Sequence, residues 1–115
     1  MTLHFINAQL IDPEAGTVTR GTLRVEDGKI AAVLDDTAPI PGDAQVVDCG
    51  GKYLAPGIVD LGVKVCEPGE RHKESFRSAG LAAAAGGVTT MVTRPDTDPT
   101  IDSPEVLEFV TRRAN

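Results

Sequence analysis

Residues 54–99 constrain the fold of this chain more than any other stretch. A nearly unbroken apolar run over 58–65 is followed by a polar loop over 67–71. Then comes a segment rich in Ala and Gly, a second β-branched run from Val88 to Thr93, and the loop Arg94-Pro95-Asp96-Thr97-Asp98-Pro99. A strand with little polar alternation is what a sheet covered on both faces requires. The Ala-rich segment spaces Phe76, Gly80, Ala83 and Ala84 on one helical face. Gly86-Gly87 ends it. The pattern is that of parallel βα units. In β/α enzymes the chemistry stands where the strands end. The residues at those ends are Gly62, Lys64, Cys66 and Asp96.

The flanks complete the reading. Residues 1–54 are predicted to be β-rich. Phe5-Ile6 and Leu10-Ile11 mark a first short strand or pair, and Asp12-Pro13-Glu14-Ala15-Gly16 has the residues of a turn. Residues 21–34 form a hairpin reversing at Asp27-Gly28. A loop over 35–43 precedes a short strand at Gln45–Asp48. At the other end, Ser103-Pro104 supplies a helix cap and a first-turn proline, and 105–113 carries Val106, Leu107 and Val110 on its apolar face. The predicted class is α/β, with a β-rich segment over 1–54 and the first one and a half to two βα units over 55–115. A complete barrel needs about 250 residues, and the chain has 115. The abrupt end favours the opening part of a larger domain over a complete small α/β protein.

Composition excludes several functions. The net charge is −6, with no basic run or stripe, which argues against nucleic acid or an anionic membrane as partner. No apolar run approaches the roughly 20 residues of a membrane span. Met1-Thr2-Leu3-His4-Phe5 lacks the basic start and apolar stretch of a signal peptide, so a cytoplasmic location is expected. Cys49 and Cys66 form no C-x-x-C pair and are expected to be reduced thiols. Aromatics are limited to Phe5, Phe76, Phe109 and Tyr53. The predicted core is therefore thin, and marginal stability or oligomerisation is expected.

Leu54-Ala55-Pro56-Gly57-Ile58-Val59-Asp60-Leu61 resembles the opening of the barrel in the amidohydrolase superfamily, and the segment before it resembles that superfamily's small accessory sandwich. Glu67-Pro68-Gly69, His72-Lys73-Glu74, Ala82-Ala83-Ala84-Ala85-Gly86-Gly87-Val88-Thr89-Thr90 and Arg94-Pro95-Asp96-Thr97-Asp98-Pro99 resemble dihydroorotases in particular. The resemblance implies a β-sandwich segment leading into an amidohydrolase-type TIM barrel. It also implies reversible ring closure of carbamoyl aspartate to dihydroorotate, with zinc held in part by a His-x-His on the first barrel strand. Side chains two apart on a strand point the same way, so two imidazoles can grip one metal.

Here that pair aligns with Gly62 and Lys64, the family's substrate-binding Arg with Cys66 and its first substrate-binding Asn with Asp96. Gly has no ligand atom, and a protonated Lys has donors but no lone pair. An ionised Asp96 repels the carboxylate that Arg and Asn would hold. The expectation is that no cofactor is bound by this chain and that it is a non-catalytic homologue. The resemblance implies aspartate carbamoyltransferase as its partner, in a homo- or hetero-oligomer. The alternative is an active dihydroorotase or related cyclic-amide hydrolase using metal ligands beyond residue 115. Each residue also has a plain structural reading: a strand end with a snorkelling Lys64, a loop thiol at Cys66, and Asp96 and Asp98 bracing their loop. Glu67-Pro68-Gly69 would set loop geometry, Asp60 would hydrogen bond in the barrel floor, and His4 and His72 would be packing or surface residues.

Overall fold

In a computed structural model, residues 2–115 are described. They form two compact units, one ending at Pro56 and the other running Gly57–Asn115.

The first unit is a single sheet built on β1 (Thr2–Asp12), which pairs antiparallel with β2 (Thr17–Glu26). β3 (Lys29–Leu34) lies outside β2 and also runs antiparallel to it. On its other side β1 pairs in parallel with β4 (Gln45–Asp48) and, further along, with β5 (Tyr53–Leu54). The two apolar patches expected to mark a first short strand or pair lie on one long strand, bent by an irregularity between Phe5 and Ala8 where Asn7 adopts φ 54°. The following turn is set by Asp12, whose Oδ1 accepts from the backbone of Glu14 at 2.9 Å and of Ala15 at 3.0 Å. The β2–β3 reversal is at Asp27-Gly28 as expected. Both residues have positive φ, 49° and 76°, which suits the twist of a two-residue hairpin and favours glycine.

This sheet has one apolar side, where Leu10, Leu23, Ile30, Val33 and Leu54 line an open cavity of about 400 Å³. Ile30 and Val33 stay mostly exposed. Within the described residues of this unit there is one sheet, where the resemblance implied a sandwich. His4, expected at the surface or in packing, is fully buried, and its Nδ1 has no partner among the described residues.

The second unit is a βαβ unit with an added helix. β6 (Ile58–Val63) pairs in parallel with β7 (Val88–Thr93), and α1 (Phe76–Ala85) makes the crossover. Parallel neighbours require such a long connection. α1 begins at Ser75, whose hydroxyl accepts from the Ser78 amide while the Ser78 hydroxyl accepts from the Ser75 amide. It ends at Gly86, whose N–H bonds back to Ala82 and Ala83. The face it buries carries Phe76 and Ala79, with Gly80 and Ala83 half-buried and Ala84 exposed. Ala84 was expected on that face; Ala79, one turn on from Phe76, takes its place.

α2 (Pro104–Ala114) starts at Ser103, whose side chain accepts from the Val106 amide at 3.4 Å. It buries Val110, leaves Val106 half-buried and exposes Leu107. Val65, Phe76, Ala79 and Val110 form the core, with Val63, Met91 and Ile101 packed against it. The strand expected to be covered on both faces is not. Ile58, Val59 and Leu61 are 55%, 57% and 76% exposed. One sheet of two strands has too few neighbours to bury them.

Candidate functional site

β6 does not run straight to its end. Its register against β7 shifts between Leu61 and Val63, and Gly62 sits in that irregularity with φ +92°. Such a backbone favours glycine. A Cβ there would have space, the nearest atoms being the Arg94 methylenes at 3.9 and 4.0 Å, so backbone conformation and not crowding selects the residue. Lys64 falls one residue past the strand. The rule that residues two apart on a strand project together therefore does not govern Gly62 and Lys64 here.

Lys64, Cys66 and Asp96 do come together. They line a small cavity of about 200 Å³ with Glu70, Thr97 and Asp98 among its walls. Gly62 is not part of it. Lys64 Nζ lies 3.9 Å from Asp96 Oδ2, and an Arg94 terminal nitrogen donates to that same oxygen at 2.9 Å. Two cations thus share one carboxylate. The repulsion expected of a bare Asp96 toward an anionic ligand is offset, but by cations aimed at Asp96 itself. Arg94, which sequence reasoning passed over, is the closer partner. Its position two residues before Asp96, at the end of a strand, is the one signal that points to the contact. Cys66 is a free, half-buried thiol, as is Cys49.

Glu67 does more than shape a loop. Its side chain is 3% exposed. It accepts from the Phe76 amide at 3.1 Å and from Arg113 Nε at 2.7 Å, with Arg71 Nε at 3.6 Å. Burial pushes its pKa up, but the Arg113 hydrogen bond, the Phe76 amide and the charges of Arg113 and Arg71 outweigh that, and the net shift is downward. One carboxylate ties the loop after β6 to the start of α1 and the end of α2. At the rim of the cavity, Glu70 pairs with Lys73. That hydrogen bond first, and the partner's opposite charge second, lower the Glu70 pKa and raise that of Lys73.

The hydrogen bonding expected of Asp60 is not made: the residue is exposed and has no such bond among the described residues. The bracing expected of the Asp98 side chain is not seen among the described residues; it is the Asp98 backbone amide that donates, to the Pro68 carbonyl at 3.5 Å. His72 is exposed.

Zinc, the metal implied by the resemblance, can be tested against these residues. Gly62 offers no donor atom, Lys64 is turned to Asp96, and among the described residues no three His, Cys, Asp or Glu side chains gather as a metal would require. The residues present do not fit it.

Known proteins place the chain. Residues 51–115 match the family described as Dihydro-orotase-like. The chain is 41% identical over 104 residues to the dihydroorotase of Streptococcus thermophilus (strain CNRZ 1066), covering 90% of this chain and 24% of that protein. It is 39% identical over 117 residues to the dihydroorotase of Ehrlichia chaffeensis, covering 99% and 26%. Among solved structures, the L-hydantoinase (dihydropyrimidinase) of Arthrobacter aurescens matches with a TM-score of 0.84 and 27% identity, over 97% of this chain and 24% of that one. A D-hydantoinase matches with a TM-score of 0.81 and 28% identity, over 100% and 25%. The chain thus spans about a quarter of the length of the relatives it matches, and its mixed α/β fold is that of the hydantoinases over this span. By family match and by identity over nearly its whole length, this chain belongs to the dihydroorotase-like family.

Proposed function

We propose that this chain is part of a non-catalytic dihydroorotase-like protein of pyrimidine biosynthesis, acting in the cytoplasm as a structural partner of aspartate carbamoyltransferase. The observation that carries the reading is the convergence of Lys64 and Arg94 on Asp96. Charges at the strand ends satisfy one another, where a working site would turn donors and metal ligands toward substrate. Gly62 adds to this, since it supplies no ligand. Cys66 stands where the family's substrate-binding Arg is expected. A thiol is a weak donor and carries no fixed positive charge with which to hold a carboxylate. What such a protein retains is a surface on which a partner can assemble.

The test has two arms on the full-length protein. Metal is measured by elemental analysis after growth with zinc, alongside ring closure of carbamoyl aspartate. The expected result is zinc well below one equivalent and no turnover. Near-stoichiometric zinc with turnover would instead establish an active cyclic-amide hydrolase with ligands beyond residue 115. In the second arm the protein is mixed with aspartate carbamoyltransferase at about micromolar concentration and analysed by sedimentation. A stable complex is expected; two separate boundaries would reject the partnership.

A further inference from the structure

We draw no further inference here: the strongest candidate, the polar cavity of about 540 Å³ where β1 and β2 of the first unit meet the 41–45 segment, with His4 and Arg24 in its wall, carries none, because the two nitrogens left without a hydrogen bond among the described residues, His4 Nδ1 and Arg24 Nε, are buried out of reach of a ligand in it and nothing in the structure shows what covers it.

Discussion

Glu67 shows how much one residue can organise. It is a buried carboxylate that holds two segments of the second unit through three contacts. Hydrogen bonds to charged groups are worth roughly 1.5–3 kcal/mol each, and an unpaired buried partner costs more. Glu67→Ala should therefore lower the stability of that unit by about 3 kcal/mol, read as a shift in urea midpoint. The pH dependence has a definite sign. The folded-state pKa of Glu67 lies below its usual value of 4.5. Its contribution is thus complete above about 4.5 and is lost as pH falls through the lower folded value. Acid unfolding of the second unit should steepen below that point in the native chain and be blunted in Glu67→Gln. The residue was legible in sequence only as part of Glu-Pro-Gly. Its partner Arg113 lies 46 positions away, and no local pattern links the two.

At the scale of elements, most boundaries followed from local chemistry. The hairpin at Asp27-Gly28, the helix stop at Gly86, the β-branched run of β7 and the Ser103-Pro104 start of α2 are each set by residues within a few positions of one another. α1 is the element that leans most on its cap. It has no acid in its first turn and no base in its last to answer the helix dipole. Ser75→Ala should cost about 1 kcal/mol, whereas Ser75→Asp, which keeps an acceptor and adds a negative charge at the N-terminus, should hold or raise stability. Thermal unfolding followed by circular dichroism checks both. Where local reading fell short, distant pairing was the cause. β1 is one bent strand because β2, β4 and β5 all line up along it. Gly62 leaves the regular strand geometry because its register against β7 shifts there.

Taken together, residues 2–115 form two small units, each with apolar surface that the described elements do not cover. In the first unit Ile30 and Val33 are 67% and 63% exposed; in the second Leu61 is 76% and Phe109 45% exposed. Single sheets with open edges and bare apolar faces associate. The 115-residue chain should show a sedimentation coefficient that rises with concentration, and Leu61→Lys should reduce the rise; a coefficient independent of concentration would contradict this.

By itself the sequence determined the α/β class, the order of nearly all elements and, through its ordered motifs, the family. These depend on side-chain periodicity, turn residues and caps, which act over a few positions. Only the tertiary structure decided which charges meet. It brought Arg94 and Lys64 to Asp96, and Arg113 to Glu67. It also decided that the apolar strand β6 lies bare. Electrostatic contacts act through space and not along the chain, and burial depends on how many neighbours an element finds. Neither quantity is carried by any short stretch of residues.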